Sequence, residues 1–250
     1  MSYFDYNKKN IYYEEIGTGD TLILLHGNTM SSKMFLPVLD LYKNDYKVVL
    51  IDFLGHGNSD RVNVFESDFW YDQAKQVKKL IEYRKYEKPS IIGTSGGAIA
   101  AINLALEYPE LIKGVMADSF QGEMADKKAV SSIKYGRNLA KKSQDAVAFW
   151  KLEHGEDWEQ VIDNDTDMLE RHALNIQSYF HKDVSEIKVP ILFTASVEDN
   201  LIENAGDIAE NLAEKVVCGR SHVFQTGNHP ALMSNAREYS TLAKEFLEVL

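Results

Sequence analysis

The chain has 250 residues, 44% of them hydrophobic, and a formal charge of −11 at pH 7. A balance this acidic opposes nucleic acid and anionic membrane surfaces, which need clustered Lys and Arg, and content this apolar belongs to a folded domain rather than a disordered one. The single cysteine, Cys218, excludes an intramolecular disulfide and a multi-cysteine zinc site.

A small-molecule partner is therefore the expectation. Residues 1–10 are polar and tyrosine-rich, with no apolar core of signal-peptide length, and no apolar run approaches a membrane span. A lone thiol suits a reducing compartment, so the expected location is the cytoplasm.

The chain opens with a strand over Ile11 to Ile16, closed by the turn Gly17-Thr18-Gly19-Asp20. Thr21 to Leu25 is continuously apolar, the pattern of a strand covered on both faces, and it stops at His26-Gly27-Asn28. Ser31 or Ser32 then caps a helix running to about Tyr42. Lys47 to Phe53 repeats the buried-strand pattern and leads into Asp52-Phe53-Leu54-Gly55-His56-Gly57-Asn58-Ser59. From Ser67 to Lys88, Trp70, Ala74, Val77 and Ile81 recur at helical spacing until Pro89 ends the run.

Ile91-Ile92 forms the next strand and runs through Gly93-Thr94-Ser95-Gly96-Gly97 into a helix, Ala98 to Leu106, that is apolar nearly all round. A serine between small residues at a strand-to-helix turn is pushed clear of the sheet, and the following helix aims backbone N–H groups beside it. Gly114 to Ala117 is a further short strand, after which the alternation lapses.

Residues 119–187 read as helical, with segments near Lys127 to Lys142, Gln144 to His154 and Thr166 to His181. Polar outside and aromatic inside, this stretch suits a cap over a site, and His154, His172 and His181 are expected there as solvated helical histidines. Alternation resumes with a strand at Pro190 to Thr194, a helix near Glu203 to Ala213, a strand near Ser221 to Gln225 and a closing helix. The organisation expected is one α/β unit in two parts, 1–118 and 188–250, with the cap at 119–187. Repeated buried strands between amphipathic helices imply a mostly parallel sheet covered on both faces, with sites at the carboxyl ends of its strands.

His26-Gly27-Asn28, Asp52, Ser95, Asp118, Asp199 and His229 all fall just beyond expected strands and so share one sheet edge. In this order and spacing the chain resembles the α/β-hydrolase superfamily over nearly its whole length, and Gly93-Thr94-Ser95-Gly96-Gly97 matches that family's G-x-S-x-G elbow. The resemblance implies Ser95 as nucleophile, His229, in Thr226-Gly227-Asn228-His229-Pro230, as base, and Asp199 as the acid that orients it. Asp118 is the alternative acid, since some members place it after the preceding strand. The family's oxyanion donors correspond to the backbone N–H groups of Gly96 and Asn28. Asp52 and His56, in a stretch similar to the family's D-x-x-G-x-G-x-S, are read as structural, and His26 as a loop brace.

No cofactor is expected. The chain lacks G-x-G-x-x-G, G-K-[ST] and H-E-x-x-H, and Asp163, Asp165 and Asp167 lack the glycine and terminal glutamate of a calcium loop, so they read as a solvated acidic turn. The reaction implied is hydrolysis of a carboxylic ester or related acyl bond through a Ser-His-Asp triad. Lactone, amide or carbon–carbon hydrolysis, perhydrolysis, and ligand binding without turnover are the alternatives. Met30, Met34 and Phe120, near strand ends, suggest an apolar pocket, and glycine at position 96 suggests open space above the nucleophile.

Overall fold

A computed structural model describes residues 2–250. Eight strands form one sheet: β1 (Ser2–Tyr6), β2 (Lys9–Ile16), β3 (Asp20–Leu25), β4 (Tyr46–Ile51), β5 (Ser90–Thr94), β6 (Val115–Asp118), β7 (Ile191–Ser196) and β8 (Gly219–Phe224). Their order across the sheet is β1-β2-β4-β3-β5-β6-β7-β8. β1 and β2 pair antiparallel, as do β2 and β4, and every pairing from β4 to β8 is parallel. β1 was absent from the expectation because its alternation is carried by tyrosines and a single phenylalanine.

The apolar runs of β3 and β5 are buried as anticipated, and the period of two along them sorts side chains to two cores. Ile23, Leu25 and Ile91 face α1 (Phe69–Arg84) and α2 (Gly96–Glu107) in the larger cluster. Leu22, Leu24 and Ile92 face the 3-10 segment Ser32–Leu41 and the closing helix in the smaller. The segment after Ser31 is 3-10 rather than α-helical and carries Pro37 inside it, where the missing N–H disfavours a regular α ladder.

Three helices, α3 (Lys127–Ala140), α4 (Gln144–His154) and α5 (Trp158–Asn175), lie between β6 and β7. Asp126 caps α3 by accepting the N–H groups of Lys128 and Ala129, and Ser143 caps α4. Trp150 stacks on Trp158 with ring centres 5.4 Å apart, tying α4 to α5. Val161, Met168, Leu169 and Ala173 of α5 belong to the larger core cluster, so the insertion packs into the body of the protein. After β7 come α6 (Ala205–Lys215), α7 (Ala231–Ser234) and α8 (Ala236–Leu247). Among the described residues no helix is long and apolar enough to cross a membrane.

The chain leaves β3 in one direction to form β4 and returns on the other side to form β5. The crevice between the carboxyl ends of β3 and β5 is therefore the point where strand order reverses, the place where open parallel sheets present a site. Leu25 pairs with Gly93, which sets the loop after β3 directly beside the turn after β5. Two glycines allow that approach. A Cβ on Gly97 would lie 2.1 Å from the Leu25 carbonyl oxygen, and one on Gly93 would lie 2.1 Å from that of Gly97. Gly97→Ala is expected to cost at least about 2 kcal/mol of stability, because the obstructing atoms are backbone and cannot turn aside; urea unfolding measures this, and an unchanged midpoint would contradict it.

Candidate active site

Ser95 sits between β5 and α2 with φ 55° and ψ −122°, a left-handed backbone that a serine adopts only under constraint. Its N–H donates to the Asp118 carbonyl oxygen at 2.8 Å and its carbonyl oxygen accepts from Ala98 N–H at 3.0 Å, so the turn is held on both sides. Gly27, after β3, abuts it: a Cβ there would lie 3.1 Å from the Ser95 Cβ. The N–H of Gly96 opens α2 with no place in the helix ladder, as for the first residues of any helix.

His229 lies in the loop between β8 and α7 and its Nδ1 is 2.8 Å from Asp199 Oδ2, in the loop after β7. A carboxylate only accepts, so Nδ1 carries the proton and Nε2 is left as an acceptor, the tautomer a general base needs. Asp199 Oδ1 accepts the N–H groups of Leu201 and Ile202, both at 2.9 Å. Burial opposes its charge, but the hydrogen bond and charge of His229 and the two amides outweigh burial and hold the carboxyl below its ordinary range. Asn200 Oδ1 accepts the His229 N–H at 3.0 Å and Glu198 accepts that of Gly227 at 3.3 Å, so three successive residues brace the histidine loop. Sequence reading passed over Asn200 because an amide beside two carboxylates carries no motif.

Asp118 is differently employed. Its carboxylate accepts from Thr94 Oγ1 and Thr194 Oγ1, both at 2.9 Å, from Ser119 Oγ at 3.2 Å and from Leu232 N–H at 3.1 Å, clasping β5, β6 and β7 to α7. Full burial raises its pKa to about 6 against those hydrogen bonds. It makes no hydrogen bond to His229, so of the two acids the structure brings Asp199 to the histidine.

Several expectations are corrected. Asp165 lies in the middle of α5, 0% exposed, rather than in a solvated turn. Its Oδ1 takes Arg137 Nη1 at 2.7 Å and its Oδ2 takes Asn28 Nδ2 at 2.9 Å. Asn28 Oδ1 in turn accepts the Trp70 indole N–H at 3.1 Å. The space over Gly96 is accordingly filled: a Cβ on that glycine would fall 1.8 Å from Asn28 Oδ1 and 2.9 Å from Trp70 Nε1. Met34 and Phe120 are buried, each in one of the two core clusters. Surface cavities of about 320 and 480 Å³ lie elsewhere, against Phe180 and Lys182 in one case and Lys47 and Arg84 in the other.

His154 and His172 are buried, not solvated, because the insertion docks through them. His154 Nδ1 accepts Gly57 N–H at 3.1 Å and its Nε2 lies 3.0 Å from the Thr29 carbonyl oxygen. The neighbouring Glu153 accepts both the N–H and the hydroxyl of Ser31. Trp70 is met edge-on by His172 and Tyr179, each at 4.9 Å. His181 is the exposed one, paired with Asp68 at 2.7 Å. Asp52 and His26 are structural as expected: Asp52 accepts from Ser32 and Asn58 N–H, and His26 Nε2 accepts from Phe53 N–H.

A model of the family described as "alpha/beta hydrolase fold" matches residues 20–126. Over 95% of this chain and 91% of that protein, it is 25% identical to the 2-hydroxy-6-oxo-6-phenylhexa-2,4-dienoate hydrolase of Comamonas testosteroni. It is 27% identical to human Serine hydrolase BPHL over 97% of this chain and 84% of that one. The enol-lactonase of Burkholderia xenovorans LB400 superposes with a TM-score of 0.74 at 15% identity, covering 99% of this chain and 100% of that one.

Burial pushes His26, His56, His154 and His172 toward the neutral form, His154 to about 4. Folded pKa values below the unfolded 6.5 mean stability that is full above pH 6.5 and is lost as pH falls toward 4, on the order of 3 kcal/mol from His154 alone. Asp118, raised to about 6 by burial, and Glu153, also raised by burial, act in the opposite sense but are two groups against the four histidines. The Tm should therefore fall steadily from pH 7 to pH 4.5. In His56→Phe, where the new ring keeps the stack on Phe65, the fall should be shallower; a Tm independent of pH would contradict this. Sheet order, the left-handed serine at the reversal point, the model matched over residues 20–126 and the likeness to hydrolases together show that this chain has the α/β-hydrolase fold.

Proposed function

We propose that the protein is a serine hydrolase of a carboxylic ester or related acyl bond in a small, partly apolar molecule, with Ser95 as nucleophile, His229 as base and Asp199 as its orienting acid. The observation that carries this reading is the hydrogen bond that fixes His229 on a buried carboxylate in the base tautomer, in a chain whose Ser95 stands at positive φ in a strand-to-helix turn. A serine hydroxyl becomes nucleophilic when an acceptor within reach takes its proton, and His229 Nε2 is that acceptor. Ser95 Oγ bonds the carbonyl carbon, the proton passes to His229, and the oxyanion is met by the amides of Gly96 and Asn28 on the two walls of the crevice. The protonated imidazole then gives its proton to the leaving group, and water repeats the sequence to free the acid and Ser95.

The ester reading takes support from the names of similar structures, among them an enol-lactonase and an esterase. A small-molecule substrate also suits an elbow whose upper space is occupied by Asn28 and Trp70. The location remains proposed as cytoplasmic, with no nucleic-acid or membrane partner. The insertion at residues 119–187 is read as the cap that bounds the acyl site.

A fluorophosphonate probe tests the mechanism. Labelling should occur at one site and vanish in Ser95→Ala, with p-nitrophenyl esters of graded chain length turned over by the wild type alone. Asp199→Asn should lower kcat at least about 100-fold, because the wrong imidazole tautomer then faces Ser95, whereas Asp118→Asn should lower the Tm and leave most of kcat. Equal labelling of Ser95→Ala, or a larger kcat loss in Asp118→Asn than in Asp199→Asn, would contradict the assignment.

A further inference from the structure

The loop after β3 is well fastened upstream. His26 is 1% exposed, its Nε2 accepts Phe53 N–H at 3.1 Å and its Nδ1 lies 2.9 Å from the Gly27 carbonyl oxygen. Downstream, Thr29 turns at φ 59° and Met30 N–H closes a turn on the Gly27 carbonyl at 3.3 Å. Between these, the peptide of Asn28 is fixed through its own side chain. Trp70 of α1 donates to Oδ1, and Asp165 of α5 accepts from Nδ2. An indole N–H only donates and a carboxylate only accepts, so the amide has one orientation that satisfies both.

Asp165 is in turn held by Arg137 of α3, whose Nη1 also reaches Thr166 Oγ1 at 2.9 Å. The Asp165 side chain is fully buried, that of Arg137 is 13% exposed, and Trp70 is 3% exposed. Burying a carboxylate is costly, and packing α5 on the core does not call for one. Its second oxygen spans from the insertion to Asn28, the residue proposed above to supply the second oxyanion donor. The contact is tight, since Gly96 has no side chain and Asn28 Oδ1 occupies the position a Cβ would take.

We infer that Asp165, fixed by Arg137, is a positioning residue for the oxyanion-binding amide of Asn28: the insertion reaches the reacting centre through the chain Arg137, Asp165, Asn28 and sets the second donor. The inference rests on the serine-hydrolase reading above and adds to it that residues of α3 and α5, remote in sequence from the elbow, complete the oxyanion site. Without the Asp165 carboxylate the Asn28 side chain keeps only the Trp70 bond and can rotate about it, carrying its N–H off line. A donor displaced by about 1 Å is worth little, so the loss falls on the step that builds negative charge.

The rate of phosphonylation by a small fluorophosphonate reads this step directly: the Ser95 oxygen bonds phosphorus, fluoride leaves and the proton passes to His229. Asn28→Ala, which keeps the backbone N–H, and Asp165→Ala should each slow labelling about 10- to 100-fold. The double variant should be within about threefold of Asn28→Ala alone, since Asp165 acts through Asn28. Because Asp165→Ala strands a buried guanidinium, R137M/D165L, which removes both charges, is measured beside it. It should fold with a Tm near that of the wild type and label as slowly as Asn28→Ala. Labelling of Asp165→Ala or R137M/D165L at the wild-type rate, or losses that multiply in the double variant, would overturn this inference alone. Failure of the wild type to label at Ser95 would overturn the nucleophile assignment and this inference with it.

Discussion

Everything at this site depends on a serine held in a left-handed backbone at the place where strand order reverses. Such a conformation persists only when its surroundings over-determine it. Here the Asp118 carbonyl oxygen accepts the Ser95 N–H, Ala98 N–H donates to the Ser95 carbonyl oxygen, and three glycines, Gly27, Gly93 and Gly97, let two loops and a helix close around it. Each of those glycines is a point where a Cβ would strike backbone or the serine itself. The elbow is thus less a local motif than the meeting of β3, β5, β6 and α2. Asp118 serves that meeting, joining the ends of β5 and β7 through two threonines, and so is free of the histidine.

The insertion is bound to the core by polar groups rather than by apolar area alone. Glu153 and His154 at the end of α4 grip the loops after β3 and β4, Arg61 reaches the His154 carbonyl oxygen and the Asp157 carboxylate, and Asp165 reaches Asn28. His172 and Tyr179, stacked on each other, meet Trp70 at right angles, and Trp70 itself bonds Asn28. The loops after β3 and β4 are thus held by residues from two distant parts of the chain.

Much of this was legible in the sequence because it is written in runs. Continuous apolar stretches at 21–25, 47–53 and 91–92 became β3, β4 and β5, and the glycine-flanked serine fell at a strand-to-helix turn. The pairing of His229 with Asp199 followed from two loops whose positions after β8 and β7 were readable. What escaped was what depends on distant segments meeting. Asp165 carries no local signature that separates a buried carboxylate from a solvated one, since its neighbours Asp163 and Asp167 are acidic too. The same holds for His154 and His172: helical spacing puts them on a face, and only the docking of that face decides burial. The glycine at 96 looked like open space because sequence shows the missing side chain and not the asparagine that occupies its place.

The geometry of a covalent adduct bears most directly on the whole account. A crystal structure of the protein phosphonylated by a fluorophosphonate is predicted to show phosphorus on Ser95 Oγ and a phosphonyl oxygen about 2.7–3.1 Å from the backbone nitrogens of both Gly96 and Asn28. His229 Nε2 should lie within hydrogen-bond reach of the serine oxygen while its Nδ1 stays on Asp199. An adduct on another residue, or a phosphonyl oxygen turned away from those two amides, would contradict it.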